Sequence, residues 1–153
     1  MPPAPQALHS SSVNPANLVE LQVLTQVSSQ LQSSGDVAGS IPYLAKIVQI
    51  LENQQLEKKS SRYKQQCEQL RRVQADAHAQ LGDAYYKTGQ YVVCEHALLR
   101  SVKIWEKLVQ QDSSVCGPLR AAYEQLKSSY EAMGKTQLAQ HIETKLERLA
   151  SIH

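Results

Sequence analysis

Leu18, Leu21, Leu24, Val27 and Leu31 recur three and four residues apart, a spacing that gathers them on one face of a helix. Asn14 before Pro15 predicts its start, since Asn accepts from first-turn amides and Pro at the first helical position loses no hydrogen bond. Gly35-Asp36 ends it. A second stripe runs through Ile41, Leu44, Ile47, Val48 and Leu51, with Ser40 as the expected cap and Pro42 in the first turn, where proline is tolerated. From Glu52 to Arg72 the chain is almost wholly polar. It reads either as a solvated extension of a neighbouring helix or as a linker.

The third stripe uses Val73, Ala77, Leu81, Ala84 and Tyr85 and stops at Gly89. The fourth uses Cys94, Ala97, Leu98, Ser101, Val102, Trp105 and Leu108. After a loop at Asp112, Ser113 and Ser114, Gly117-Pro118 opens a fifth helix through Leu119, Ala122, Tyr123, Leu126, Tyr130 and Met133. Gly134 ends it, and Thr136 is the expected cap of a sixth through Leu138, Ala139, Ile142, Leu146 and Leu149. No segment alternates as a strand does. The expected fold is all-α, six helices in three antiparallel pairs.

The pairs resemble one another. Val27, Leu31 and Gly35, then Leu81, Tyr85 and Gly89, then Leu126, Tyr130 and Gly134 repeat one spacing, and the last two glycines stand 45 residues apart. Such self-similarity indicates a helical repeat array. The expected organisation is a disordered lead over 1–13 and a helical domain over 14–153. Within it, repeat 1 covers about 14–54, the polar insert 55–72, repeat 2 about 73–111 and repeat 3 about 117–153.

The middle unit, from Ala79 to Tyr91, resembles a tetratricopeptide repeat. Leu81, Gly82, Tyr85, Gly89, Tyr91, Cys94 and Leu98 fill the motif's places, with Cys94 as its small residue. The length of the second helix is similar to that of the longer repeats of kinesin light chains. The outer units match more weakly, with Ser28 and Lys127 in place of Gly82 and Ser40 and Ala139 in place of Cys94. The resemblance implies three helix pairs stacked as a short solenoid. Glycine in mid-helix costs about 1 kcal/mol relative to alanine, so Gly82 calls for a packing reason, and a closely approaching partner helix supplies one.

The resemblance also implies a concave surface lined by the first helix of each pair, where a peptide or partner helix binds. Helical spacing puts Gln22, Thr25, Ser29 and Gln32 of the first unit there, Asp76, Ala79, Asp83 and Tyr86 of the second, and Ala121, Glu124, Ser128 and Glu131 of the third. Asp76, Asp83, Tyr86, Glu124 and Glu131 are the expected binding residues, a set without Lys or Arg that suits a basic ligand. An ordinary solvated helix face is the competing reading. Chaperone-tail adaptors of this family clamp a terminal carboxylate with basic residues, and this face argues against that role. Solenoids generally end in an element with a polar outer face. Here the sixth helix runs nearly to the last residue, so Leu138, Ile142 and Leu149 are expected to lie partly uncovered as a second contact for a partner or another copy.

Composition adds exclusions. The 153 residues carry 16 Lys and Arg against 14 Asp and Glu, a net charge of +2, and nucleic-acid-binding domains are normally far more basic. No apolar run reaches the roughly 18–20 residues of a membrane span. Residues 1–45 contain no Lys or Arg, unlike a mitochondrial or secretory leader. The densest basic stretch, Lys58, Lys59, Arg62, Lys64, Arg71 and Arg72, is diluted by Glu57 and Glu68 and reads first as a solvated helix, second as a nuclear signal or an acidic-surface contact. Cys67, Cys94 and Cys116, an odd number without metal-type spacing, suit a reducing compartment. Cys94 and His96 point about 200° apart on a helix. No Gly loop for phosphate and no oriented nucleophile accompany them, so neither enzyme chemistry nor a cofactor is expected. The expectation is a non-catalytic adaptor or complex subunit with a protein partner, in the cytoplasm or on the cytoskeleton or cilium. The alternatives are a thiol or ligand sensor and a plain helical bundle.

Overall fold

The computed structural model describes residues 13–152. The expected lead therefore lies outside the described residues except for Val13, which is buried rather than part of a loose tail. Asn14 caps the first helix, its side chain accepting from the Ala16 amide at 3.0 Å. Among the described residues the fold is all-α, with six α-helices, one short 3₁₀ turn at Ser113–Val115, and no strand. The helices are α1 (Pro15–Ser33), α2 (Val37–Glu52), α3 (Tyr63–Lys87), α4 (Tyr91–Val109), α5 (Cys116–Ala132) and α6 (Thr136–Ile152).

Three of the turns between them have one geometry. Gly35, Gly89 and Gly134 all adopt positive φ, between 74° and 89°, where a side chain is strained and glycine is not. The amide after each glycine reaches back to the carbonyl of Leu31, Tyr85 or Tyr130, and each glycine's own amide to that of Gln32, Tyr86 or Glu131. These bonds satisfy carbonyls left free at a helix end, the Schellman arrangement. Five residues after each glycine a small side chain is buried: Ser40, Cys94 and Ala139.

Several helix starts differ from expectation. Asp36, not Ser40, caps α2 by accepting from the Gly39 amide at 2.8 Å. Ser40 is buried within the helix, bonded back to the Val37 carbonyl at 2.6 Å, and Pro42 lies beyond the first turn. Thr136 is the first residue of α6 rather than its cap. The polar insert divides: its first part forms turns, and from Tyr63 onward it is the N-terminal portion of α3.

The chain forms two compact units, Met1–Ala77 and His78–His153. In the first, α1 packs on α2 around Leu21, Leu44, Ile47, Ile50 and Leu51. Gln54 ties the open ends of this hairpin together, accepting from the Asn14 amide at 2.7 Å and donating to Asn17 Oδ1 at 3.2 Å. Gln74 of α3 donates to the Leu51 carbonyl at 2.9 Å, so the last turn of α2 is satisfied by the next helix. In the second unit, α5 packs on both α4 and α6. The buried residues there include Leu81, Ala84, Leu98, Val102, Trp105, Leu119, Leu126, Tyr130, Ile142 and Leu149.

Candidate functional site

The absence of a side chain at Gly82 admits Leu98. A Cβ there would lie 2.9 Å from Leu98 Cγ and Cδ2, so α3 and α4 approach as closely as they do because residue 82 is glycine. Polar contacts seat α5 against this pair. Gln125 Nε2 donates to Asp83 Oδ1 at 2.8 Å, and Cys94 Sγ lies 3.3 Å from Ser129 Oγ. The Ser129 hydroxyl also donates to the Gln125 carbonyl at 3.0 Å. Burial holds the Cys94 thiol above its ordinary pKa against the opposing effect of the Ser129 contact, so its nucleophilic thiolate is scarce.

α5 and α6 bound a groove of about 470 Å³. Arg120, Glu124, Lys127, Ser128 and Glu131 form one wall, and Glu143, Leu146, Glu147 and Ala150 the other. Four carboxylates face two cations. Lys127 Nζ lies 2.8 Å from Glu143 and 3.8 Å from Glu131, and the hydrogen bond to Glu143 raises its pKa. Arg120 Nη2 leans on Cys116 Sγ at 3.8 Å.

Nearby, a polar cluster joins three helices. The Tyr123 hydroxyl donates to Glu106, Lys145 Nζ approaches the same carboxylate at 3.1 Å, and it stands 5.8 Å from the Tyr123 ring centroid. Burial, then the Glu106 hydrogen bond, pushes the Tyr123 phenol far above its ordinary value. The cluster clamps α4, α5 and α6 by complementary charge, and no nucleophile takes part in it.

The expected binding residues have different surroundings. Glu124 and Glu131 are exposed and line the α5–α6 groove. Asp83 is occupied by Gln125 on one oxygen and by Lys87 Nζ at 2.9 Å on the other. Tyr86 is half-buried, its ring edge-on to Tyr91 with centroids 5.7 Å apart. Asp76 lies half-buried on α3 in the first unit. The expectation of a face without cations is corrected: Lys87, Lys127 and Arg120 lie among these carboxylates. The expected exposed end helix is corrected too. Ile142 and Leu149 are buried, and of the three only Leu138 is exposed, at 43%. The reason is register, since Ala139, Ile142 and Leu149 share the α6 stripe that faces the core while Leu138 stands one residue off it.

No family model, curated protein or solved structure matches this chain. Among the described residues no group of three His, Cys, Asp or Glu is placed to hold a metal ion, and no helix is long and apolar enough to cross a membrane. Cys94 and Cys116 are buried and Cys67 half-buried, all three as free thiols. Lys58, Lys59, Arg62, Lys64 and Arg71 are exposed. Sequence reasoning missed Arg120, Glu143 and Glu147 as groove residues. Their spacing along α5 and α6 is visible in the chain, but the register that brings the two helices together is not.

Proposed function

We propose that the chain is a non-catalytic interaction protein, a short tetratricopeptide-like stack serving as an adaptor or structural subunit in the cytoplasm or on the cytoskeleton. One observation carries this reading: three hairpins close with the same glycine turn and bury a small residue at the same offset. A hairpin of this kind cannot bury its apolar face alone, and stacking is what such units do. The partner binds by burying a peptide or helix against an acidic helix face. Glu124 is the residue of the expected set best placed for contact, with the exposed Glu131 beside it sharing Lys127, whereas Asp83 is engaged within the fold. Cys94 is poorly suited to thiol sensing, since it is buried with a raised pKa.

Affinity capture from native lysate over a range of salt concentrations, with partner stoichiometry counted by mass spectrometry, tests the proposal. A partner recovered at fixed stoichiometry and lost on Glu124→Lys with Glu131→Lys supports it. Absence of any stoichiometric partner at low salt rejects the adaptor reading.

A further inference from the structure

Within the second unit, two successive helix pairs carry the same groove with different linings. Gly89 and Gly134 set the register at 45 residues, which pairs Gly82 with Lys127, Leu98 with Glu143, Val102 with Glu147 and Trp105 with Ala150. On the α3–α4 pair these places are apolar or small and buried, and α5 is seated there through Gln125 and Ser129. On the α5–α6 pair the close contact of Gly82 with Leu98 is replaced by the 2.8 Å ion pair of Lys127 with Glu143, and the groove is open. A helix fills the first groove. The second keeps the shape for one while changing the chemistry that would hold it.

We infer that the α5–α6 groove docks a helix of a partner protein that presents Lys or Arg along its contacting face. The inference rests on the adaptor reading and specifies its partner's chemistry. Four carboxylates against two cations give the groove a negative balance. Among the described residues no ion pair engages Glu124 or Glu147, one on each wall, whereas Lys127 already holds Glu131 and Glu143. A cation entering between Glu124 and Glu147 therefore meets two carboxylates, and Leu146 and Ala150 offer a small apolar strip beside them. Charge complementarity of this kind fixes partner choice and speeds association.

The probe is a fluorescently labelled peptide with the sequence of α5, the helix that fills the equivalent groove, carrying Ala122→Lys, Gln125→Lys, Ser129→Lys and Ala132→Lys on one face. Fluorescence anisotropy should show saturable binding to the intact chain that weakens with salt. Glu124→Lys with Glu147→Lys should weaken it by about tenfold or more, with helicity unchanged by circular dichroism. A peptide with Glu at the four positions should regain affinity for that variant. Equal affinity for wild type and variant, or for a control peptide with Gln at the four positions, overturns the inference. If the probe fails but a stoichiometric lysate partner binds wild type and variant alike, this groove is wrong and the adaptor reading survives. If neither binds, both fail. Concentration-dependent dimerisation in sedimentation equilibrium, abolished by the same variant, would assign the groove to a second copy and also overturn the inference.

Discussion

The α3–α4 and α5–α6 hairpins share a turn, a register and a buried small residue, yet they differ where a following helix would rest. The earlier pair presents Gly82 and Leu98, packed so closely that a single added carbon would collide. The later pair presents Lys127 and Glu143, joined by an ion pair at the surface. Backbone geometry is thus conserved through glycine turns, whereas lining chemistry decides whether a hairpin's side becomes interior or exterior.

The largest predicted effect breaks the comparison at its centre. Leu98→Ala removes a side chain only 1% exposed and should cost about 3 kcal/mol in chemical denaturation, while Glu143→Ala at the equivalent place should leave the midpoint unchanged. Equal losses would mean that both hairpins are packed alike at this place, and the contrast between them would fail. The turns provide the control. Gly89→Ala and Gly134→Ala should each cost about 1–2 kcal/mol, because both hold φ near +75° and alanine resists that conformation. A large difference between them would show that the shared turn carries unequal weight.

Gly82→Ala sharpens the contrast. Helix propensity favours alanine by about 1 kcal/mol, but crowding against Leu98 costs about 1–3 kcal/mol, so a net loss of about 1 kcal/mol is expected. Stabilisation instead would mean that Leu98 moves aside freely. The smallest effect concerns alkali. Burial raises the phenols of Tyr123 and Tyr130 above the ordinary 10.0, aided at Tyr123 by Glu106 and at Tyr130 by the charge of Glu95. Above pH 10 the unfolded chain therefore binds fewer protons than the folded one. The stability these phenols contribute is complete below pH 10 and is lost as pH climbs towards their folded values. Thermal melts should show this decline, and Tyr123→Phe should flatten it. An unchanged slope in that variant would remove Tyr123 from the account.

Much of the fold is legible in the sequence because helical periodicity and turn glycines are local signals. Val27, Leu31 and Gly35 announce a helix end as clearly as Leu126, Tyr130 and Gly134 do. Helix starts are less legible, as Asp36 shows: both Asp36 and Ser40 are good caps, and only the backbone path selects between them. The helical part of the polar insert carries only a sparse stripe, Tyr63, Cys67 and the buried Leu70, among many polar residues, and continues α3 upstream of Val73. The groove was half legible. Glu124 and Glu131 follow from spacing on one helix, but Glu143 and Glu147 join them only once α5 and α6 are in register. Exposure is likewise a property of neighbours. Ile142 and Leu149 look uncovered while α6 is considered alone, and α5 changes that.

The repeated glycine turn has a kinetic consequence. Each turn joins two helices across very few residues, and the packed pairs α1–α2, α4–α5 and α5–α6 are neighbours along the chain. Loop closure between such neighbours is entropically cheap, and chains dominated by local contacts fold in microseconds to milliseconds. Each hairpin is therefore a site where structure can nucleate early, before distant parts of the polypeptide have met.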